Sequence, residues 1–131
     1  MISSKLVLFC PGVTVAEGWN PPNVGNQGST GSTSYNHHNP GNLRVSEYEA
    51  GNDGAFSIFN TDIEGFMALV RQWEMIATGK DTLYGDSLTI EGAVQKYTAD
   101  ALGSPELANY LTTLETMAGV KRSDYVSTIV G

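Results

Sequence analysis

The residue pattern changes near Asn60, and this change is the strongest constraint on how the 131-residue chain can fold. Residues 20–42 consist largely of Asn, Gly, Ser, Pro and Thr, which favour turns and loops over regular structure. From Asn60 onward, apolar residues recur at helical spacing, behind residues that commonly cap helices. The sequence therefore predicts an α+β chain with an irregular front half and a helical back half.

The first helix of the back half is marked by the capping box Thr61-Asp62-Ile63-Glu64. In such a box the Thr hydroxyl accepts a bond from the Glu64 N–H, and the Glu carboxylate reaches back to the cap. Gly79 is the expected end of this helix. Its buried face is predicted from helical spacing to consist of Ile63, Phe66, Met67, Val70 and Trp73.

Three further helices are expected after it. The second begins near Thr89, and the third has Ser104 as N-cap, Pro105 in its first turn and Gly119 at its end. A last short helix is predicted over residues 124–130. The apolar faces of the second and third helices are expected to contain Ile90, Ala93, Val94, Tyr97, Leu107, Tyr110, Leu111 and Leu114.

In the front half, Pro11 is expected to break any longer helix, which leaves a short one over residues 11–17. Residues 43–45 and 55–59 are predicted as two short strands. The glycines of residues 51–54 supply the positive φ angles that a hairpin turn between these strands needs.

Charge and composition exclude several classes of partner. Seven basic residues against fourteen acidic ones give a net charge of −7 without any Lys/Arg cluster, so neither nucleic acid nor an anionic membrane is expected as a partner. No stretch has the length of a membrane span or the form of a convincing signal peptide. Cys10 is expected to be a buried hydrophobe, and the adjacent His37 and His38 lack metal-ligand spacing. No metal or cofactor is expected.

Glu17 is the candidate catalytic residue among the fourteen acidic ones. It follows an apolar helical segment, precedes Gly18-Trp19 and faces the polar loop. A carboxylate between an apolar helix and an indole loses solvation, which raises its pKa toward the value a general acid needs. An ordinary exposed glutamate at a helix end is the alternative that the spacing alone leaves open.

Four blocks of sequence resemble the phage and bacterial lysozyme-like lytic transglycosylase family, in which a helix ending in A-x-E-G precedes an N-N-P-G-N-L-R segment. They span residues 16 to about 120 in the family's order. The blocks are Ala16-Glu17-Gly18-Trp19, then Ser34 to Arg44 with Asn39-Pro40-Gly41-Asn42, then Ala55 to Leu69, and finally Leu88 to Leu111 with Tyr97 and Tyr110.

The resemblance implies a single domain over residues 1–131 with a lysozyme-like fold, mostly helical, whose small β-hairpin borders the active-site cleft. It implies Glu17 as the acid and base that cleaves the glycosidic bond between N-acetylmuramic acid and N-acetylglucosamine in peptidoglycan. Trp19, Asn39, Asn42 and Tyr97 are the expected substrate-binding residues. Asn39 and Asn42 could instead shape their turn, and Tyr97 could belong to the core.

A hydrolase would need a second carboxylate across the sugar, whereas a transglycosylase does not. No acidic residue lies between residues 18 and 46, which favours the transglycosylase. A hydrolytic lysozyme that uses a hairpin acid (Glu47, Glu49 or Asp53) stays open, as does a non-catalytic structural module of a virion. The expected partner is the glycan strand, and the expected place of action is the bacterial cell wall, reached by release from a phage-infected cell or as part of a phage particle.

Overall fold

A computed structural model describes residues 4–21, 30–84 and 88–130 of the chain. Residues 22–29, which belong to the predicted polar loop, lie outside the described residues. The described part is mixed helical with a small antiparallel sheet, which confirms the α+β class. The more specific lysozyme-like fold stays a prediction.

The first helix, α1, spans Ser4–Ala16 and contains Pro11 in its interior. The prediction that Pro11 limits the helix to residues 11–17 was therefore wrong. The reason lies in packing, because the side chains of Leu6, Phe9, Cys10 and Val13 are almost completely buried along one face of α1. Burial of this face outweighs the one backbone hydrogen bond that the proline ring removes.

A short helix, α2, spans Thr33–Asn36 and is capped by the Ser32 hydroxyl, which accepts from the Tyr35 N–H. The sheet consists of β1 (Gly51–Asn52) and β2 (Ser57–Ile58), paired antiparallel with Gly51 opposite Ile58. Residues 43–45 form no strand, although Leu43 still accepts a backbone bond from Ser57 at 2.9 Å. Gly51 and Asn52, which were predicted to lie in the turn, form β1 instead. The hairpin turn therefore covers residues 53–56.

The next helix, α3, spans Asp62–Ala77, and the Thr61 hydroxyl accepts from the Glu64 N–H as predicted. The Glu64 carboxylate bonds to the Thr61 hydroxyl at 3.2 Å and not to the backbone N–H of the cap. The predicted buried face was partly wrong, since Ile63 is 72% and Met67 64% exposed. The helix is rotated because Gly65 lies against the His38 carbonyl, where a Cβ atom would come within 1.8 Å of the oxygen.

The last two α-helices match the sequence prediction. Helix α4 spans Ile90–Thr98 behind the Thr89 cap, and α5 spans Pro105–Ala118 behind the Ser104 cap. A left-handed residue follows each helix, Ala99 after α4 and Gly119 after α5. The predicted terminal helix is shorter than expected, a single 3₁₀ turn over Val126–Ile129.

The core lies between α1, α3, α4 and α5, with Trp73 at its centre. The Trp73 ring contacts Phe9 edge-on at 4.8 Å and Tyr97 at 4.9 Å between centroids. Helices α1 and α5 approach closely at Gly12, where a Cβ atom would lie 2.9 Å from a methyl group of Leu114. As predicted, Cys10 is buried here, and burial raises the pKa of its thiol to about 12. Among the described helices none is long and apolar enough to cross a membrane.

Candidate active site

Glu17 directly follows the last residue of α1. Its N–H donates to the Val13 carbonyl at 2.8 Å, so its backbone still continues the helical pattern. Gly18 then leaves the helix with a φ of +77°, a conformation that glycine adopts without steric cost. This exit leaves the Glu17 side chain at the helix end, where it faces α5 rather than the next turn of α1.

The hydroxyl of Tyr110, in the middle of α5, donates a 2.8 Å hydrogen bond to Oε2 of Glu17. Tyr110 was predicted only as part of the apolar face of its helix, and its ring is indeed buried. Burial, followed by the nearby Glu17 carboxylate, raises the pKa of Tyr110 well above its usual value. Tyr110 therefore stays protonated and acts as a donor to the carboxylate.

Desolvation raises the pKa of Glu17 above its ordinary value, and this effect is the largest one on the group. The Tyr110 hydroxyl and the Asn42 side chain act in the opposite direction, because they hydrogen-bond to the charged form. The charge of Asp100 raises the pKa further, while that of Arg44 lowers it. The net direction is upward, toward the protonated form.

Asn39 holds the loop that reaches this site. Its side-chain amide donates to the carbonyls of Leu43 at 2.9 Å and Ser57 at 3.0 Å, and its Oδ1 accepts from the Leu43 N–H at 2.9 Å. Asn39 has no exposed surface. A side chain buried in this way does not reach a ligand, so Asn39 serves the loop and not substrate binding.

The turn that follows Asn39 packs against α3 and α4. The Tyr97 hydroxyl donates to the Gly41 carbonyl at 2.6 Å. Gly41 has no room for a side chain, since a Cβ atom would lie 2.3 Å from Leu69 and 3.0 Å from the Tyr97 oxygen. Asn42 follows in the left-handed conformation with φ +53°. These contacts determine the positions of Asn42 and Arg44 relative to Glu17.

Glu17 lines a surface cavity of about 260 Å³ at the junction of α1, the loop after Asn39, the hairpin and the ends of α4 and α5. The Arg44 guanidinium lies over the Phe56 ring, 5.6 Å from its centroid. A second cavity of about 550 Å³ adjoins the first and shares Asn42, Arg44 and Tyr97 with it. The first cavity is lined by Ala16, Glu17, Asn42, Arg44, Phe56, Tyr97, Thr98, Asp100, Glu106 and Tyr110.

Trp19 lies elsewhere. Its ring contacts Tyr35 edge-on at 5.1 Å and lines a separate cavity of about 320 Å³ with Pro11, Pro40 and Phe66 among its neighbours. Trp19 is not part of the lining of the Glu17 cavity. Of the four predicted substrate-binding residues, the structure thus brings Asn42 and Tyr97 to Glu17, and neither Trp19 nor Asn39.

The hairpin acids are also absent from the Glu17 cavity. Glu49 accepts bonds from Ser57 at 2.7 Å and from the Ser46 N–H at 3.1 Å, and Asp53 caps its own turn. Glu47 lines a different cavity. The carboxylates that do line the Glu17 cavity, Asp100 and Glu106, lie at the two ends of the α4–α5 connection. Neither was predicted from the sequence, because both lie more than 80 residues after Glu17 and no local pattern links them to it.

The two histidines pair with different carboxylates, His38 with Asp62 at 2.6 Å and His37 with Asp53 at 3.6 Å. The described residues contain no cluster of three His, Cys, Asp or Glu side chains that could hold a metal ion.

Comparison of the chain with protein-family models, with curated proteins and with solved structures gives no match. The resemblance to the transglycosylase family therefore stays a prediction.

Proposed function

We propose that this protein is a lytic transglycosylase that cleaves the β-1,4 bond between N-acetylmuramic acid and N-acetylglucosamine in peptidoglycan, with Glu17 as acid and then base. The observation that carries the proposal is the position of Glu17. It is a largely desolvated carboxyl group with a raised pKa, and it lines a surface cavity. A carboxyl group with a raised pKa keeps its proton to a higher pH than an ordinary glutamate, which favours its delivery to a leaving oxygen.

The convergence of distant segments also supports the proposal. Glu17, Asn42, Tyr97 and Tyr110 come from blocks whose order resembles the transglycosylase family, and all four line one cavity. The adjoining larger cavity shares Asn42, Arg44 and Tyr97 with this site. Two adjoining cavities offer separate places for neighbouring sugar units of one glycan strand.

In the proposed first step, the protonated Glu17 carboxyl donates its proton to the glycosidic oxygen as the bond to the muramyl anomeric carbon breaks. Glu17 becomes a carboxylate, which the Tyr110 hydroxyl stabilises through its 2.8 Å hydrogen bond. In the second step, Glu17 takes the proton of the muramyl 6-hydroxyl while that oxygen bonds to the anomeric carbon. The product is a 1,6-anhydro sugar, no water is consumed, and Glu17 is protonated again.

Hydrolysis is a second candidate outcome, and one observation favours it. Two carboxylates besides Glu17, Asp100 and Glu106, line the same cavity. A second carboxylate is what a hydrolase needs to activate water or to form a covalent intermediate. The predicted source of this group, the hairpin, does not line the cavity, so a hydrolytic mechanism would draw on the α4–α5 connection.

Loss of turbidity of purified peptidoglycan sacculi tests the proposal. The intact protein is expected to clear the suspension, and Glu17→Gln to lower the rate by about 10²-fold or more, because general acid catalysis contributes that much. Glu47→Gln is the matched control, since Glu47 is exposed and lines a different cavity. An intact protein without activity, or an active Glu17→Gln variant, would indicate a non-catalytic module or another catalytic group.

A further inference from the structure

The connection between α4 and α5 places an acidic side chain in the Glu17 cavity. Helix α4 ends at Thr98 and is followed by Ala99, a non-glycine residue in the left-handed conformation with φ +60°. The next residue is Asp100, whose N–H donates to the Thr98 hydroxyl at 3.1 Å. This sharp helix end directs the chain so that Thr98 and Asp100 both line the cavity.

Most acidic residues of the described chain have a structural partner. Asp100 is one of the few whose carboxylate has none, and it is less exposed than Glu106, the other such residue in the cavity. Ion pairs or hydrogen bonds hold the carboxylates of Asp62, Glu74, Asp81 and Glu115. Within the described residues, Asp100 donates a hydrogen bond through its backbone N–H, and no group donates one to its carboxylate. A carboxylate without a structural partner that faces a catalytic cavity is available to a ligand.

The charge around the cavity fits a positively charged species. The described lining contains one guanidinium, Arg44, against the carboxylates of Asp100 and Glu106, so the cavity carries excess negative charge while Glu17 is protonated. Glycosidic bond cleavage passes through an oxocarbenium-like state with positive charge on the sugar. A carboxylate that lines the same cavity stabilises that charge more than it stabilises the neutral sugar, which is the condition for catalysis.

We propose, building on the function proposed above, that Asp100 is a second catalytic carboxylate, whose charge stabilises the positively charged muramyl ring as its glycosidic bond breaks. This role serves either outcome, because the ring carries the charge whether the 6-hydroxyl or water attacks it. Asp100 itself forms no bond to the sugar. The proton still moves from Glu17 to the leaving oxygen.

A second effect of Asp100 supports this role. Its charge raises the pKa of Glu17. Other titratable or polar groups of the cavity are Tyr110 and Glu106 from α5, Asn42 and Arg44 from the loop, and Tyr97 from α4. Removing the charge of Asp100 should therefore lower the pKa of Glu17. A general acid works only while protonated, so the decline of kcat/KM with rising pH should then begin at a lower pH.

Asp100→Asn, compared with Glu47→Gln, tests the proposal. Both variants replace one carboxylate with an amide, but Asp100 lines the Glu17 cavity and raises the pKa of Glu17, whereas Glu47 is exposed and lines a different cavity. On sacculi, Asp100→Asn is expected to lower kcat about 10²-fold with little change in KM, as loss of an electrostatic stabiliser does. The decline of its kcat/KM with rising pH should begin at a lower pH. Glu47→Gln should stay within about twofold of the intact protein, on the scale of exposed charges.

Binding measurements separate this proposal from the proposed function, because they need no turnover. A cationic iminosugar that mimics the charged ring should lose about tenfold or more in affinity for Asp100→Asn, while neutral chitotetraose should bind as before. Asp100→Ser, followed by circular dichroism, replaces Asp100→Asn if the latter unfolds. Equal effects of Asp100→Asn and Glu47→Gln, or an equal loss of both ligands, would overturn the role of Asp100. An active Glu17→Gln would instead overturn the proposed function.

Discussion

The Tyr110 hydroxyl donates a hydrogen bond of 2.8 Å to Oε2 of Glu17, across 93 positions of the chain. This bond joins the end of α1 to the middle of α5, two helices that also pack closely at Gly12 and Leu114. Glu17 is thus held by a rigid helix on each side, although the side chain itself keeps access to the cavity. A desolvated carboxyl with one fixed donor can exchange a proton without moving its backbone.

Tyr110→Phe removes this donor and should raise the pKa of Glu17 further, because the bond favours the charged form. The alkaline limb of the pH–rate profile should therefore move to higher pH. Asp100→Asn is expected to shift the same limb in the opposite direction. The rate at neutral pH should fall by about tenfold or less, since the carboxylate formed after proton transfer loses its stabilising bond. An unchanged limb would show that Tyr110 does not influence the group that titrates.

Glu17→Gln should stabilise the folded protein at neutral pH. Because the pKa of Glu17 is raised on folding, the folded state binds the proton more tightly than the unfolded chain does. The associated stability is present below the unfolded pKa and is lost as the pH rises through the folded pKa. The amide mimics the protonated form, so its Tm should exceed that of the intact protein at pH 7. The difference should disappear near pH 4 and below.

Differential scanning calorimetry of both proteins at several pH values measures this trend. Glu47→Gln provides the control, because Glu47 is exposed and remote from the Glu17 cavity. A Tm advantage of Glu17→Gln that is equal at all pH values would mean that packing, and not the charge, distinguishes the variant.

Asn39→Ala should destabilise the loop and with it the whole fold. The variant loses three side-chain hydrogen bonds and leaves buried backbone groups of Leu43 and Ser57 without partners. The expected cost in free energy of unfolding is about 2–3 kcal/mol, from the typical cost of unsatisfied buried groups. Urea denaturation measures it. Asn109→Ala, at an exposed position of α5, should change the stability little, and an equally small effect of Asn39→Ala would contradict the structural role.

Gly65→Ala tests the contact between α3 and the loop. The added Cβ atom would come within 1.8 Å of the His38 carbonyl oxygen, a backbone atom that cannot move aside without shifting the loop. We expect a loss of about 3 kcal/mol or more, the upper range for overpacking. Gly51→Ala is the control, because nothing lies within 4 Å of its added atom. A Gly65→Ala protein as stable as the control would show that the helix and loop are not in this contact.

Local signals in the sequence predicted the helices of the back half well. The caps Thr61, Thr89 and Ser104 bond the N–H groups that capping rules assign to them. Such signals depend only on residues a few positions apart, so they can be recognised without knowledge of the tertiary structure. The interior proline of α1 was misjudged because the helix is stabilised by buried contacts from distant segments, which no local rule contains.

The site was less predictable for the same physical reason. Glu17 could be singled out from its neighbours, but its donor Tyr110 looked like one more residue of an apolar helix face. The role of Asn39 depends on Ser57, which is distant in sequence, and the place of Trp19 depends on how the chain leaves α1. Apolar periodicity indicated which side of a helix is buried, and not which polar atom on that side meets which partner.

Analysis of the products tests the catalytic role of Glu17. Muropeptides released from sacculi by the intact protein and by Glu17→Gln would be compared by mass spectrometry at equal protein concentration. We expect 1,6-anhydromuramyl ends from the intact protein and almost none from the variant. Reducing ends in place of anhydro ends would replace the transglycosylase with a hydrolase. The same products at the same rate from Glu17→Gln would contradict the catalytic role of Glu17.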